Sequence, residues 1–372
     1  MTQYLLYIFL AFILSMICGF IFIPQIMSFC ERKKLYDIPN ARKVHKNAIP
    51  RLGGISFLPS MLLAFICVIF ILNRKDGYEH VSMSLWSMYF LVSLLLIYGV
   101  GIVDDFVGLN ATTKFTVQII AASLLPIAGL YINNLYGLLG INEIPFWIGA
   151  PLTVFLIVYT NNAQNLIDGI DGLSASISFI ALTGFLICFI GEGLYLYAFL
   201  IAGLLGILVS FLRYNLFGDP TKNQKIFMGD SGSLTLGFIM GFLTVKFSMD
   251  NPNVMPFRKD CLLLAFTLLL VPLFDTTRVI LVRMKHRQHI FQSDKNHIHH
   301  KMLRTGMNQR QALLAILIID IAFIVMNQLL YLFCNINIIA VIDIVVWLLI
   351  NYGINRMIIL KGGKPYYYEE SV

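Results

Sequence analysis

The stretch LLLIYGVGIVDDF, residues 94–106, shows what kind of chain this is. It is apolar from Leu94 to Val103 and then ends in two adjacent carboxylates, Asp104 and Asp105. With the apolar residues before it, it forms a run over 84–103, which matches the length of about 20 residues that a helix needs to cross a bilayer. Two like charges at the end of such a run either lie in water without a role or are held there by something positive.

The rest of the chain repeats this pattern of long apolar runs. Of its 372 residues, 58% are hydrophobic and 13% are charged, and the mean hydropathy is +0.78. Soluble domains carry about twice that share of charge. About 11 stretches suit a membrane span, and they lie roughly at 4–28, 54–72, 84–103, 113–131, 146–160, 173–190, 194–212, 234–249, 261–283, 311–331 and 338–360.

Only helices satisfy all their backbone hydrogen bonds within one span. The sequence therefore predicts an all-α polytopic membrane protein with about 11 transmembrane helices. The stretches at 146–160 and 234–249 are the shortest of the set. Because no internal repeat is visible, we expect a single domain over residues 1–372.

Basic residues are concentrated in the loops after the first and the ninth predicted spans. Such loops lie in the cytoplasm, which predicts an N-terminus outside, a cytoplasmic C-terminus and inside loops near 104–112, 161–172 and 213–233. The first run has no basic residue before it and no small-residue cleavage site, so we expect it to remain as a span. These loops account for the net charge of +7 without nucleic acid as a partner. The six cysteines are scattered without a Cys-x-x-Cys pair, which indicates neither a disulfide framework nor a metal site.

Four polar motifs fall on the predicted cytoplasmic side. They are the pair Asp104–Asp105, NLIDGIDGLS at 165–174, FMGDSGS at 227–233 and HIHH at 297–300. Crowded carboxylates either raise a pKa or recruit a cation. Hard oxygen ligands without cysteine favour Mg²⁺ or Mn²⁺.

The motif NLIDGIDGLS extends a polar face that begins one turn earlier. Asn161, Asn165 and Asp168 step by four and then three residues, which places them on one face of a helix. The alternative is an Asx-rich turn that caps the next span. That alternative accounts for Asp171 and Ser174, but it leaves the earlier polar residues unexplained.

In FMGDSGS, Asp230 lies between two glycines at the start of a predicted span. It is either the cap of that helix or a metal ligand, and one carboxylate can serve in both ways. Phe227 precedes it by one turn and either packs in the core or stacks on a base.

The HIHH motif contains His297, His299 and His300, with Lys295 and Lys301 on either side. Cations beside imidazoles disfavour a bound metal and favour an anion. The alternative is an ordinary basic cytoplasmic loop, which does not require histidine.

Two lysines near these motifs allow two interpretations each. Lys114 opens the fourth predicted span, where a lysine commonly snorkels to the surface, but it also suits a phosphate partner near the aspartate pair. Lys46 precedes the turn of HKNAIPRLGG and either belongs to that turn or faces a ligand.

In this order and combination, the four motifs resemble those of the polyprenyl-phosphate N-acetylhexosamine-1-phosphate transferases, glycosyltransferase family 4. The resemblance covers roughly residues 30–310. It is closer to the branch that uses undecaprenyl phosphate and UDP-GlcNAc than to the phospho-MurNAc-pentapeptide translocase. The translocase has three consecutive histidines, which Ile298 interrupts here, and a Thr-Pro-Thr-Met-Gly-Gly stretch where this chain reads IPRLGG.

The resemblance implies an enzyme of the bacterial cytoplasmic (inner) membrane that starts a cell-envelope polysaccharide such as O antigen or teichoic acid. Such an enzyme transfers an N-acetylhexosamine-1-phosphate, here GlcNAc-1-phosphate, from its UDP-sugar to undecaprenyl phosphate and releases UMP. Its implied cofactor is Mg²⁺, or Mn²⁺ in its place. Besides the lipid bilayer and the two substrates, the implied partner is a second copy of the chain, since relatives form dimers.

The resemblance also implies roles for individual residues. Those expected in catalysis are Asp104, Asp105, Asn165, Asp168, His297, His299 and His300. Those expected to bind substrate are Lys46, Lys114, Asp171 and Phe227, the last two at the uridine. The expected metal ligands are Asp230 and Asp104. The active-site cleft is expected on the cytoplasmic face.

Two other classes of membrane protein suit parts of this pattern. A cation- or proton-coupled transporter carries acids and histidines along its path, but transporters tend to show internal repeats and polar groups near the midplane. A CDP-alcohol phosphotransferase is also metal-dependent, but DGIDGLSAS lacks the arginine and the downstream aspartates of that motif.

Overall fold

The structure, a computed structural model, describes residues 2–37, 48–76, 85–289 and 294–366. Helices account for most of these residues, and in chain order they are α1 (Thr2–Lys33), α2 (Phe57–Asp76), α3 (Leu85–Val107), α4 (Ala111–Ile127), α5 (Phe146–Ile167), α6 (Leu173–Gly191), α7 (Tyr195–Asn215), α8 (Gly229–Ser248), α9 (Cys261–Thr267), α10 (Leu270–Lys285), α11 (Ile298–Arg304), α12 (Gln309–Tyr331) and α13 (Ile336–Leu360). Two short strands, β1 (Tyr36–Asp37) and β2 (Ile49–Pro50), pair antiparallel.

The helices fit a membrane protein that crosses the bilayer many times. In the described chain, eight are long and apolar enough to span a membrane, namely α1, α2, α3, α5, α6, α7, α12 and α13. The pair α9–α10 makes a ninth if it is one span bent by 69°. Every predicted apolar stretch overlaps a helix, but α4 and α8 fall outside this set, so the count of about 11 spans stays a prediction. The outside N-terminus, the cytoplasmic C-terminus and the single domain also stay predictions.

Helix α8 lies at the centre of the fold. It is buried continuously from Ser231 to Ser248, and it packs mainly against α5 and α3. Its small residues permit this, since a Cβ atom added at Gly237 would lie 2.7 Å from the Cα atom of Asn161 on α5. Because α8 is surrounded by protein rather than lipid, it needs less apolar side-chain surface than the outer helices.

Three predicted loops are helical at the positions of the motifs. Helix α3 continues to Val107, so Asp104 and Asp105 lie in its last turn and not in a loop over 104–112. Helix α5 continues to Ile167 and therefore includes Asn165. The HIHH motif forms the first residues of the unpredicted helix α11, with His297 as its N-cap. The polar residues of these motifs can lie within the terminal turns of helices, because they form hydrogen bonds with neighbouring elements.

The residues around β2 hold the segment that leads into α8. The backbone N–H of Phe227 donates to the carbonyl of Pro50 at 2.7 Å. The N–H groups of Gly53 and Gly54 donate to the carbonyls of Phe227 and Met228 at 2.9 and 2.7 Å. The IPRLGG stretch is thus paired with the backbone just before α8, which fixes the position of Asp230.

Candidate active site

The two adjacent aspartates at the end of α3 have different surroundings. Asp105 is buried, and its carboxylate accepts the backbone N–H groups of Asp230 at 2.8 Å and Ser231 at 3.0 Å. These N–H groups belong to the first turn of α8, where a helix has no carbonyl partners of its own. Asp105 therefore caps α8 from another helix, and its backbone carbonyl accepts a hydrogen bond from Arg51.

Gly229 makes this contact between α3 and α8 possible. Its φ is +73°, a left-handed conformation that glycine adopts without strain. A Cβ atom at this position would lie 2.7 Å from both carboxylate oxygens of Asp105. The glycine before Asp230 is thus required by the close approach of the two helices.

Asp104 and Asp230 converge on one positive charge. The Nζ atom of Lys114 lies 3.1 Å from Oδ2 of Asp104 and 2.8 Å from Oδ2 of Asp230. All three side chains are partly exposed. The first turn of α4 brings Lys114 to this point, because Asn110 caps that helix by accepting the N–H of Thr113 at 2.8 Å. Something positive does hold Asp104 in place, and it is this lysine.

Asn165 joins the same group from the last turn of α5. Its Nδ2 atom donates to Oδ1 of Asp230 at 3.1 Å and to the hydroxyl of Ser233 at 2.8 Å. Asn161, which the sequence places on the same helical face, is fully buried against α8 instead. Only the end of the predicted polar face therefore reaches the site.

Asp168 follows α5 directly, and solvent reaches its side chain. Other carboxylates influence it, those of Asp230, Asp171 and Asp105. Loss of hydration, followed by these negative charges, raises the pKa of Asp168 above its ordinary value. Because the side chain is exposed, the neighbouring negative charges are the more important cause, and a bound cation would offset them.

Asp171 forms an ion pair with Lys225, whose Nζ atom lies 2.6 Å from Oδ2 of the aspartate. Lys225 precedes Phe227 by two residues, and Phe227 is half-buried. The ion pair joins the loop after α5 to the segment before α8. The sequence contained no signal that distinguishes Lys225 from other loop lysines.

The three histidines lie where α10 and α11 meet. The Nδ1 atom of His297 is 2.8 Å from Oδ2 of the buried Asp275, which also accepts a hydrogen bond from Arg278 at 2.7 Å. The rings of His297 and His299 are parallel, with centroids 6.0 Å apart, and His300 lies 4.2 Å from His299. Asp275 and Arg278 are functional candidates that the sequence motifs did not include.

His299 connects the histidines to the loop after α5. A Cβ atom added at Gly169 would lie 2.6 Å from Cε1 of His299 and would also clash with its Nε2. Burial, followed by the neighbouring imidazoles, lowers the pKa of His299 well below its ordinary value. Burial, followed by the neighbouring His297, Lys295 and Arg304, lowers the pKa of His300 to about 4. Both rings are therefore neutral at physiological pH.

One large cleft passes these groups. Its volume is about 1370 Å³, and its polar end is lined by Lys114, Asn165, Asp294, His297, His299 and His300. Although burial alone would raise it, a hydrogen bond from Arg283 holds the pKa of Asp294 below its ordinary value. The remaining walls are mostly apolar and come mainly from α4, α5 and α10; their apolar residues include Ile119, Ile127, Phe146, Val154, Phe155, Ile280 and Leu281. The lining runs from Phe146 to Asn165 along α5, a length of about 30 Å.

The residues present fit a divalent cation bound together with a substrate. Among the described residues, no group of three or more His, Cys, Asp or Glu side chains is close enough to form a metal cage. Mg²⁺, however, is commonly held by one or two carboxylates together with substrate phosphates. Asp104 and Asp230 already direct one oxygen each at a single ammonium group.

The structure thus brings most of the sequence-predicted site residues to one region. Lys114 contacts both Asp104 and Asp230, and Asn165 contacts Asp230. The three histidines line the same cleft as Lys114 and Asn165. Asp168 and Asp171 lie in the loop next to them. Lys46 is outside the described residues, so its predicted position stays a prediction.

Comparisons with known proteins show which family the sequence resembles. The sequence model of the family described as "Glycosyl transferase family 4" matches residues 87–248. A probable undecaprenyl-phosphate N-acetylglucosaminyl 1-phosphate transferase of Bacillus subtilis is 31% identical over 321 residues, which cover 84% of this chain and 82% of the relative. An undecaprenyl-phosphate alpha-N-acetylglucosaminyl 1-phosphate transferase of Yersinia pestis is 29% identical, over 85% of this chain and 80% of the relative. A decaprenyl-phosphate N-acetylglucosaminephosphotransferase of Mycobacterium tuberculosis is 31% identical, over 75% of this chain and 71% of the relative.

Proposed function

The chain belongs to glycosyl transferase family 4, and from this membership and the geometry of the cleft we propose that it transfers GlcNAc-1-phosphate from UDP-GlcNAc to undecaprenyl phosphate. UMP is the second product. The proposed reaction is the first membrane step of a cell-envelope polysaccharide, such as O antigen or teichoic acid.

The observation that carries this proposal is the division of one cleft into a long apolar part and a compact polar end. A polyprenyl chain needs an apolar groove, which the walls from α4, α5 and α10 supply. A nucleotide-sugar diphosphate needs cations and hydrogen-bond donors, which Lys114 and the histidines supply. A transporter has no comparable support, since the relatives reported above are named as transferases.

We further propose that Asp230 and Asp104 hold Mg²⁺, or Mn²⁺ in its place. The support is the approach of both carboxylates to the one ammonium group of Lys114. When bound, such an ion supplies positive charge that neutralises the diphosphate and the charge developing on the leaving group. Asn165 orients Asp230 by its hydrogen bond at 3.1 Å.

The chemistry proposed is phosphoryl transfer. An oxygen of the lipid phosphate attacks the β-phosphorus of the UDP-sugar, and the bond from that phosphorus to the UMP oxygen breaks. The anomeric carbon takes no part, so its configuration is retained. A phosphate monoester loses its second proton near about pH 6, so the attacking group is largely dianionic at neutral pH without a strong base.

The remaining motif residues surround the donor in this proposal. Lys114 meets the phosphates, Asp168 lines the reacting region, and His297, His299 and His300 contact the diphosphate or the sugar. Asp171 and Phe227 bind the uridine, with Lys225 holding Asp171 in place at 2.6 Å. Lys46 is proposed as a further nucleotide contact on the basis of the resemblance alone.

The proposed setting is the cytoplasmic face of the bacterial inner membrane. Charge is costly at the centre of a bilayer, whereas at its boundary a cation and water share the cost of the clustered carboxylates. An apolar groove and a hydrated nucleotide site are both available only there. A homodimer is proposed from the resemblance.

The decisive experiment is release of UMP by the purified protein in detergent or nanodiscs. We expect release only when UDP-GlcNAc, undecaprenyl phosphate and a divalent cation are all present, and we expect EDTA to abolish it. Asp230→Asn should show no release, whereas Asp320→Asn, a buried acid of α12 away from the cleft, should retain it. Release of UMP without the lipid, or undiminished activity in EDTA, would refute the proposal.

A further inference from the structure

The carboxylate of Asp275 connects the histidine motif to α10. It is buried at 1% exposure, and each of its oxygens has a defined donor. Oδ2 faces Nδ1 of His297 at 2.8 Å, and Oδ1 accepts from the N–H of Ile298 at 3.0 Å and from Arg278 at 2.7 Å. The Asp275 side chain therefore accepts the N–H of the first residue of α11 and orients His297, the first histidine of the motif.

His297 differs from the other two histidines of the motif. Among the described contacts of these three residues, only the ring of His297 is hydrogen-bonded to a carboxylate, that of Asp275. Its Nε2 atom is buried and has no hydrogen-bond partner there, although the residue lines the polar end of the cleft. A buried ring nitrogen without a partner indicates that a ligand or a water completes its hydrogen bonding.

A carboxylate beside one ring nitrogen determines which nitrogen carries the proton. The proton is held at Nδ1, which faces Asp275, and Nε2 remains for the substrate. Nε2 then faces the cleft, where a hydrogen bond to an oxygen of a bound diphosphate requires that this nitrogen also carry a proton.

From this geometry we propose that Asp275 is a positioning residue for His297, holding the ring so that its Nε2–H donates to an oxygen of the substrate diphosphate. The inference rests on the proposed function for the identity of the diphosphate. A purely structural alternative exists, in which Asp275 only anchors the start of α11 through Ile298.

Other charged groups lie around the three histidines. The negative ones are Asp275 and Asp294. Arg278, Lys295 and Arg304 are positive groups that act on His299, His300 or Lys301, and Arg283 pairs with Asp294. A test must therefore change Asp275 alone while keeping its shape.

Asp275→Asn satisfies this condition, because the amide keeps an oxygen for Ile298 and removes the charge beside His297. We expect kcat/KM for the UDP-sugar to fall by about 10–100-fold at pH 8. Asp320→Asn, which removes a buried acid that faces no histidine, is the matched control and should leave kcat/KM unchanged.

A double-mutant cycle separates positioning from anchoring. If Asp275 acts through the ring, Asp275→Asn combined with His297→Asn loses no more activity than His297→Asn alone. If the two losses multiply, the proposal is wrong. Wild-type protein in the same assay reports on the proposed function separately, since its failure to release UMP would count against that function and not against the pairing.

A measurement on wild-type protein keeps the test valid if Asp275→Asn does not fold. The ¹⁵N chemical shifts of His297, assigned by difference against His297→Asn, report which ring nitrogen is protonated. We expect Nδ1 to be protonated in the free protein and both ring nitrogens to be protonated when UDP-GlcNAc is bound. A ring protonated only at Nε2, or one without a proton on Nε2 in the complex, would overturn the proposal.

Discussion

The carboxylate of Asp105 accepts the backbone N–H of Asp230 at 2.8 Å, although the two residues are 125 positions apart. This bond joins the end of α3 to the start of α8. Its neighbour Asp104 instead faces Lys114 and the open part of the site. Two adjacent and chemically identical residues therefore have different roles. Asp105 fixes the position of α8, whereas Asp104 belongs to the accessible part of the site.

Replacement of Asp105 tests this division. Asp105→Ala leaves two buried N–H groups of α8 without an acceptor, and each costs about 1–3 kcal/mol. Asp105→Asn keeps one acceptor and should cost about 1–2 kcal/mol. Thermal unfolding in detergent should rank the proteins as wild type, then Asn, then Ala. An Ala variant as stable as wild type but inactive would instead make Asp105 a catalytic group.

Lys114 occupies the point at which Asp104 and Asp230 meet, so it would compete with the proposed divalent cation for their oxygens. We expect Lys114→Met to lower the Mg²⁺ concentration needed for half-maximal activity, on the order of tenfold. Maximal activity should fall as well, because the phosphates lose a cationic partner. Lys114→Arg keeps the charge and serves as the control. A higher Mg²⁺ requirement in the Met variant would contradict competition.

Gly169 tests the contact between the loop after α5 and the histidine helix. Gly169→Ala would place a methyl group against the His299 ring, which is buried and cannot move freely. We expect activity to fall on the order of 10–100-fold, since small displacements of a site are costly. Gly353→Ala on α13, whose added Cβ would have no neighbour within 4 Å, should leave activity unchanged. Equal activity of the two variants would show that His299 does not depend on this contact.

The pKa of His300, lowered to about 4, predicts a dependence of stability on pH. The unfolded chain binds a proton at this residue at about pH 6.5, whereas the folded protein does not bind it until near pH 4. Stability from this group is therefore present above about pH 6.5 and is lost as the pH falls toward 4. The unfolding temperature of wild type should decrease over this range, and that of His300→Gln should decrease less. Parallel curves for the two proteins would contradict the assignment.

Much of the fold could be predicted from the sequence, because the length of an apolar run is a local property. Each predicted span overlaps a helix, and the motif residues Asp104, Asn165 and Asp230 lie where helices end or begin. Boundaries were less accurate at the site. Helix α3 includes Asp104 and Asp105, because partners on α4 and α8 replace the water that a loop would have needed.

Residues outside the motifs could not be found in this way. In the sequence, Asp275 is a single acid within an apolar segment and Lys225 is one lysine in a polar loop, so neither stands out. Their relevance comes from what faces them, His297 in one case and Asp171 in the other. Asn161 shows the opposite error, since its helical spacing is correct but the residue is fully buried, with its backbone against Gly237 of α8.

By itself, the sequence determined the class of the protein: apolar helices whose polar residues are confined to a few motifs, since burial in lipid imposes that composition residue by residue. Only the tertiary structure decided which carboxylate of the pair caps α8, which asparagine reaches Asp230 and which histidine has an acidic partner. Those outcomes depend on contacts between different helices, whose residues are 22 to 125 positions apart in the chain, and local spacing carries no information about them.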